Sequence, residues 1–235
     1  MIDFHTHILP GIDDGAKDEE ESRAMLEMLS EQGVFEVCLT PHYISYKEPL
    51  EAFLCKRAEA VEKIEDYADE LGIRLFIAAE VSLTKELSRI NEAKELCVEG
   101  TRLMLVEIPA GMTKEDLIYN IERLINSLGV IPVIAHIERY EKALYSKKLL
   151  EYLLELGCLT QITLSALKFG GWRKKRKMLK LLRTGKIHFV GTDCHNLSSR
   201  PPVFADYIDI LEERLGGRFV KRFERKANKR LDQIN

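Results

Sequence analysis

The strongest constraint on the fold is a repeated unit, in which a short apolar run is followed by a charged, amphipathic segment with helical spacing. The apolar runs are Ile2–His7, Glu36–His42, Ile73–Val81, Leu103–Pro109, Val130–His136, Leu159–Leu164 and Ile187–Thr192. They are apolar at nearly every position, which is typical of parallel strands that are covered on both faces. Strands that alternate with helices in this way predict an α/β fold, as a barrel or a doubly wound sheet, in a single domain over residues 1–235.

Histidines and carboxylates occur at the C-terminal ends of these runs. They are His5, His7, His42, Glu80, Glu107, His136, Asp193 and His195, joined by Asp13 or Asp14 from the first loop. In parallel α/β folds these strand ends share one face, where ligands bind. Imidazole suits zinc, iron and manganese, and carboxylates suit manganese. The sequence therefore predicts a site for several metal ions, whereas His188, inside a run, is predicted to be structural.

Such a donor set suits phosphoryl transfer, because two ions about 3.5–4 Å apart can clamp the attacking and leaving oxygens. Arg139 and Arg200 follow two of the histidines in loops on the same face. A guanidinium there is able to bind phosphate oxygens bidentately. On position alone, a surface salt bridge is an equally good interpretation of both arginines.

Composition excludes several classes of protein. The formal net charge of −3 gives no global indication of nucleic-acid binding. No apolar run approaches the roughly 18 residues that span a bilayer, and the N-terminus does not have the pattern of a signal peptide. The five cysteines lack metal or redox spacing. We therefore expect a cytoplasmic protein without disulfides or membrane insertion.

The motifs together resemble a known family. They are H-x-H at His5–His7, "GIDDGA", "TPH", "VEIP", "IAHIERY" and "GTDCHNLSSRPP". They are similar to the metal-dependent protein-tyrosine phosphatases of bacterial capsule and exopolysaccharide loci, in the PHP superfamily. The resemblance runs from Met1 to about Pro202. It implies a distorted seven-stranded (β/α) TIM-like barrel that hydrolyses phosphotyrosine on a partner tyrosine autokinase. From the metal chemistry we expect a metal-bound hydroxide to attack phosphorus, without a covalent phospho-enzyme.

The resemblance also implies three divalent metal ions, most often manganese for activity, with iron or zinc as alternatives. The implied first site is His5, His7, Glu80 and Asp193. The implied second site is Glu80, Glu107 and His136, and the implied third is Asp14, His42 and His195. Arg139 and Arg200 match the arginines that bind the phosphoryl group, and we hypothesise that His42 protonates the leaving phenolate.

Three alternatives stay open. Cys194 and Arg200 have the spacing of thiol-based phosphatases, although the segment lacks glycine and is followed by Pro201 and Pro202. The same metal site also suits histidinol phosphate or another small phosphomonoester. Finally, "WRKKRKMLKLLRTGK" and the segment from Arg218 to Arg230 are strongly basic, which is compatible with a nuclease or nucleic-acid binder. Their amphipathic spacing favours solvated helix faces, or a docking surface for an acidic, tyrosine-rich kinase tail.

Overall fold

The structure is a computed structural model and describes residues 1–140, 146–169 and 171–232. The strands in these ranges are β1 (Ile2–Thr6), β2 (Glu36–Leu39), β3 (His42–Tyr43), β4 (Arg74–Ile77), β5 (Glu80–Ser82), β6 (Leu103–Glu107), β7 (Ile131–Ile134), β8 (Leu159–Thr163) and β9 (Phe189–Gly191). Every predicted apolar run forms a strand. Two of the runs are broken in the middle, one into β2 and β3 and the other into β4 and β5.

Helices follow the strands along the chain. They are α1 (Glu19–Glu31), α2 (Leu50–Glu62), α3 (Glu65–Glu70), α4 (Lys114–Leu128), α5 (Lys147–Glu155), α6 (Ala166–Phe169), α7 (Trp172–Arg183), α8 (Ala205–Leu215) and α9 (Gly217–Asp232). Short 3-10 turns occur at Leu87–Arg89, Asn91–Leu96 and Ile137–Arg139. Within the described residues, no helix is long and apolar enough to cross a bilayer.

All the strand pairs in the described residues are parallel. One sheet has the order β1-β2-β4, and the other has the order β3-β5-β6-β7-β8-β9. This arrangement is an α/β fold with a curled parallel sheet. The seven predicted runs are divided between two sheets, because β2 ends before Pro41, which has no N–H to donate, and pairing resumes as a second sheet at His42.

The edge strands β1 and β9 lie side by side. The Asp193 N–H donates to the His5 carbonyl at 2.8 Å, and the His7 N–H donates to the Cys194 carbonyl at 2.9 Å. Below these contacts the rings of Phe4 and Phe189 stack with their centroids 3.8 Å apart. The curl of the sheet thus brings the first and last strands together.

Two apolar clusters hold the fold together. The larger packs the helices against the sheet, and a smaller one contains Phe4, Leu103, Leu105 and Phe189. Along β6, Leu103 and Leu105 share a face with Glu107, because alternate residues of a strand point to the same side. The smaller cluster therefore fills the concave side of the sheet and supports the polar strand ends above it.

Candidate metal centre

The carboxylate of Glu80, at the start of β5, lies at the centre of a group of histidines. Its Oε2 atom is 3.1 Å from His5 Nε2, 3.3 Å from His7 Nε2 and 3.1 Å from His42 Nδ1. Its Oε1 atom is 3.0 Å from His136 Nε2. Burial opposes ionisation of Glu80, but the neighbouring histidines lower its pKa well below the ordinary value. A buried carboxylate shared by several imidazoles is well placed to bridge cations.

Asp193 faces the same group from the end of β9. Its Oδ1 atom is 3.7 Å from His5 Nε2 and 3.6 Å from His7 Nε2. Its Oδ2 atom accepts a hydrogen bond of 2.7 Å from Arg139 and forms an ion pair with Arg200 at the same distance. Burial raises the pKa of Asp193, yet the histidines and Arg200 together lower it to about 2. The side chain is therefore an anion that joins the histidine cluster to the arginines.

The two aspartates of the first loop have different positions. The Oδ1 atom of Asp14 lies 3.4 Å from His42 Nε2 and 3.6 Å from His195 Nε2, at the exposed rim of the site. Asp13 lies behind His7, whose Nδ1 donates to Asp13 Oδ2 at 2.7 Å. The same Asp13 oxygen accepts the His42 N–H at 2.9 Å. Asp14 is therefore in the place of a ligand, and Asp13 supports two histidines.

Glu107, at the end of β6, completes the set of predicted residues. One of its carboxylate oxygens lies within 4.8 Å of ligand atoms of His42 and Glu80. Its Oε1 atom is 3.7 Å from an Nη1 atom of Arg139. Burial and the negative charge of Glu80 raise its pKa. Every predicted site residue thus reaches one contiguous cluster at the strand ends.

Contacts at Nδ1 set which ring nitrogen faces the cluster for His7, His136 and His195. His7 donates from Nδ1 to Asp13, and His195 donates from Nδ1 to the Asp193 carbonyl at 3.0 Å. The Nδ1 atom of His136 lies 2.7 Å from the hydroxyl of Thr163. These partners leave Nε2 of the three rings directed into the cluster, as the hydrogen-bond partners of metal-binding histidines do. Asp13 and Thr163 were not predicted as supports of the histidines. Thr163 is the last residue of β8, a strand that carries no predicted ligand.

Backbone geometry at the site is unusual. Among the described residues other than glycine, a positive φ occurs at His136 (49°) and at Asp193 (57°). Such a conformation is costly for residues with a side chain and is often found at functional sites. Gly15 and Gly191 permit a close approach, since a Cβ would lie 2.1 Å from the His7 carbonyl in the first case and 2.6 Å from His5 Cβ in the second.

The donor set fits metal ions. Ligand atoms group as His7–Asp14–His42–His195, His5–His7–Asp193, His5–Glu80–His136 and His42–Glu80–Glu107, each within 4.8 Å. Several buried atoms here have no hydrogen-bond partner, namely His5 Nδ1, Glu80 Oε2, Asp193 Oδ1 and His195 Nε2. Buried polar atoms without a partner destabilise a folded protein. A divalent cation binds imidazole nitrogen and carboxylate oxygen atoms together and would supply that partner.

The alternative based on a cysteine nucleophile does not fit the geometry. Cys194 is fully buried, and burial raises the pKa of its thiol well above the ordinary value. The side-chain oxygen of Asn196 accepts the N–H groups of Ser198, Ser199 and Arg200. These N–H groups point at Asn196, so the loop does not present them to an anion as a phosphate-binding loop does.

A cavity of about 450 Å³ opens beside the cluster. It is lined by Ile12, Asp13, Asp14, His42, Ile44, Lys47, Glu48 and Glu107. The cavity gives a substrate access to Asp14 and His42 from solvent. Its mixture of apolar and charged walls suits a group that has both a ring and a charge.

The curled parallel sheet and the cluster at its strand ends define an α/β protein with a candidate multi-ion metal centre. The chain belongs to the family described as "Capsular polysaccharide synthesis, CpsB/CapC", whose sequence model matches residues 1–231. This membership confirms the family that the motifs resemble.

Named relatives and a solved structure agree with this assignment. The chain is 33% identical over 232 residues to tyrosine-protein phosphatase CpsB of Streptococcus pneumoniae, covering 94% of this chain and 93% of the relative. It is 31% identical over 224 residues to tyrosine-protein phosphatase YwqE of Bacillus subtilis, covering 92% and 85%. A crystal structure from work on YwqE and S. pneumoniae CpsB, described as unique metal-dependent tyrosine phosphatases, superposes with a TM-score of 0.82 at 26% identity, covering 100% of this chain and 96% of the other.

Proposed function

We propose that this chain is a metal-dependent phosphomonoesterase that hydrolyses phosphotyrosine on a protein. Its membership of the CpsB/CapC family and its likeness to metal-dependent tyrosine phosphatases support this activity. The proposed substrate is a bacterial tyrosine autokinase that regulates capsular or exopolysaccharide synthesis. The proposed location is the cytoplasm, and the proposed catalytic unit is one domain over residues 1–235, with its seven runs as a distorted barrel closed by the contact of β1 with β9.

The observation that carries the proposal is the position of Glu80, whose two carboxylate oxygens lie 3.0–3.3 Å from four histidines. We assign three divalent ions, with manganese as the preferred metal and iron or zinc as alternatives. The first ion takes His5, His7, Glu80 and Asp193. The second takes Glu80, Glu107 and His136, and the third takes Asp14, His42 and His195.

Divalent ions bound there would lower the pKa of a water molecule and neutralise charge on the phosphoryl oxygens. The protein itself supplies orientation. Arg139 and Arg200 stand at the rim with N–H groups beyond those that hold Asp193, and they are the proposed binders of the phosphoryl oxygens. Asp193 fixes both guanidinium groups, so the phosphoryl group is held in one orientation beside the cluster.

His42 is the proposed proton donor to the leaving phenolate. It is half-buried, faces the open cavity, and carries a pKa that its hydrogen bond with Glu80 raises in spite of burial. In metal-free protein, a raised pKa keeps a proton on His42 near neutral pH. A nitrogen that binds a cation cannot hold that proton, and loss of a metal ion in His42→Gln would by itself lower activity. Solvent isotope and leaving-group effects are therefore compared between wild type and His42→Gln at matched metal content.

The decisive experiment is phosphatase activity on a phosphotyrosine peptide before and after chelation, with metal counted on the purified protein. We expect two to three ions per chain, loss of activity with chelator and recovery with manganese. Full activity in metal-free protein would overturn the proposal. A higher kcat/KM on histidinol phosphate than on the peptide would move the assignment to small phosphomonoesters, and cleavage of a nucleic acid would move it to a nuclease.

A further inference from the structure

The basic segment that follows β8 forms one wall of a surface groove between α6, α7 and α8. The groove has a volume of about 800 Å³. Its basic lining residues are Lys168, Lys175, Arg176, Lys180, Arg183 and Arg214. One acidic residue, Glu213, is among the lining residues, so the groove is strongly positive. Trp172, Leu179 and Ile210 add an apolar part to the same surface.

Most of these charges are not used by the fold. Lys168 lies 3.8 Å from Asp206. Within the described residues, Lys175, Arg176, Lys180 and Arg183 have no side-chain ion pair. The opposite face of α7 is buried through Met178, Leu181 and Leu182. Packing therefore accounts for the apolar face of the helix, and the four basic side chains that line the groove stay available to a ligand.

The groove starts on the same face of the sheet as the metal centre. Helix α6 follows directly after the C-terminal end of β8, so Lys168 lies on the face where the strand ends carry the candidate ligands. From there α7 runs for 12 residues, from Trp172 to Arg183. At 1.5 Å per residue this is about 18 Å, the length of roughly five residues of extended peptide.

A second basic cavity continues the groove at its far end. It has a volume of about 230 Å³ and shares Arg183 and Thr184 with the first. Helix α9 supplies its further basic residues, Arg222, Lys226 and Arg230. The positive surface thus extends from the catalytic face along the side of the molecule, as a track for a chain rather than a pocket for a single small anion.

We propose that this groove docks an acidic, extended segment of the phosphoprotein substrate at a distance from the phosphotyrosine itself. The inference rests on the proposed function and names a recognition element for it. Charge complementarity selects the acidic side chains, and Trp172 with Leu179 takes an apolar side chain of the same segment. Because the charges are solvent-exposed, the interaction is salt-sensitive and acts on substrate capture.

Trp172 provides a direct test, because it is the single tryptophan of the sequence and its side chain is 67% exposed. The full chain is titrated with an unphosphorylated Glu-rich peptide that contains one Leu, while tryptophan emission is followed. We expect a saturable blue shift that is absent with the same peptide carrying Gln in place of Glu. This readout requires no turnover, so it stands apart from the phosphatase assignment.

A matched pair of charge reversals locates the effect. Arg176→Glu with Lys180→Glu changes the groove, and Lys221→Glu with Arg225→Glu makes the same change on an exposed face of α9 that lines neither cavity. We expect only the first pair to abolish the shift. It should also lower kcat/KM about tenfold on a phosphotyrosine peptide with the acidic segment, since two exposed ion pairs are lost.

The kinetics separate docking from catalysis. Activity of both double variants on free phosphotyrosine should equal that of wild type. Equal kcat/KM of wild type and the groove variant on the acidic peptide would overturn the docking proposal while leaving the phosphatase proposal intact. Tighter binding of a single-stranded oligonucleotide or of anionic lipid vesicles than of the peptide, at the same salt concentration, would also overturn it.

Discussion

Arg139 and Arg200 each place an Nη2 atom 2.7 Å from the same oxygen, Oδ2, of Asp193. Arg139 comes from the turn after β7, and Arg200 comes from the loop after β9. Each guanidinium uses one nitrogen for this contact, and both side chains are close to half exposed. A carboxylate in the metal cluster therefore orients two cationic groups toward the opening of the site.

The first prediction concerns this pair. Arg139→Lys and Arg200→Lys keep the charge but lose the planar fork, so each should lower kcat/KM on phosphotyrosine by about a hundredfold. Metal content should stay at the wild-type value, because neither arginine is a ligand. Steady-state kinetics with metal analysis of the same samples measures both. Wild-type kcat/KM in either variant would remove that arginine from phosphoryl binding.

The second prediction compares two glutamates. Glu80 belongs to two of the groups of ligand atoms, and Glu107 belongs to one. Glu80→Gln should therefore retain fewer metal ions per chain than Glu107→Gln and should not be reactivated by added manganese. Metal counting by mass spectrometry, with circular dichroism to verify folding, gives the comparison. Equal metal loss in the two variants would contradict a bridging role for Glu80.

The third prediction separates Asp13 from Asp14. Burial opposes protonation of His7, but its hydrogen bonds with Asp13 and Glu80 raise its pKa to about 10. Asp13→Asn should lower that pKa in metal-free protein and weaken metal binding by about 10- to 100-fold, with activity recovered at excess manganese. Asp14→Asn should leave the titration of His7 unchanged. Histidine NMR titrations of both variants decide between these roles, and an unaltered His7 in Asp13→Asn would refute the first.

The fourth prediction concerns the contact of β9 with β1. A Cβ on Gly191 would lie 2.6 Å from His5 Cβ and 2.8 Å from His5 N. Gly191→Ala should therefore lower the free energy of unfolding by about 2–3 kcal/mol, as overpacking does, and should displace His5. Gly217→Ala is the control, because its Cβ would meet only the flexible end of Glu212 at 3.4 Å. Urea unfolding measures both, and equal stability of the two variants would contradict the close approach.

The fifth prediction concerns His188. This side chain is buried, and its Nδ1 accepts the Thr160 N–H at 3.1 Å. Burial, then the charges of Arg230 and Lys226, lower its pKa from 6.5 to about 4. The unfolded chain therefore binds the proton first as the pH falls. The contribution of neutral His188 to the free energy of unfolding is complete above about pH 6.5. It is lost as the pH falls toward 4, by at most about 3 kcal/mol.

His188→Asn tests this pH dependence, because its side-chain oxygen is able to accept the same N–H without titrating. Urea unfolding of chelator-treated protein across that pH range should show a smaller loss of stability in the variant than in wild type. Parallel losses in the two proteins would assign the pH dependence to other groups.

The sequence by itself determined the strands and the shared location of the candidate ligands. Runs that are apolar at nearly every position form parallel strands, and parallel strands place their C-terminal ends on one face. Residues as distant as His5 and His195 were therefore predicted to meet without any knowledge of the loops. The confirmed family resemblance depends on those same strand-end residues.

Only the tertiary structure decided how each side chain is used. It placed Asp14 at the rim and Asp13 behind His7, and it directed Arg139 and Arg200 to one oxygen of Asp193. It also broke two predicted strands and left the basic face of α7 beside a groove. These outcomes depend on loop backbone angles and on contacts between residues far apart in the chain. Apolar periodicity reports which face of an element is buried, but it contains no information on those angles or contacts.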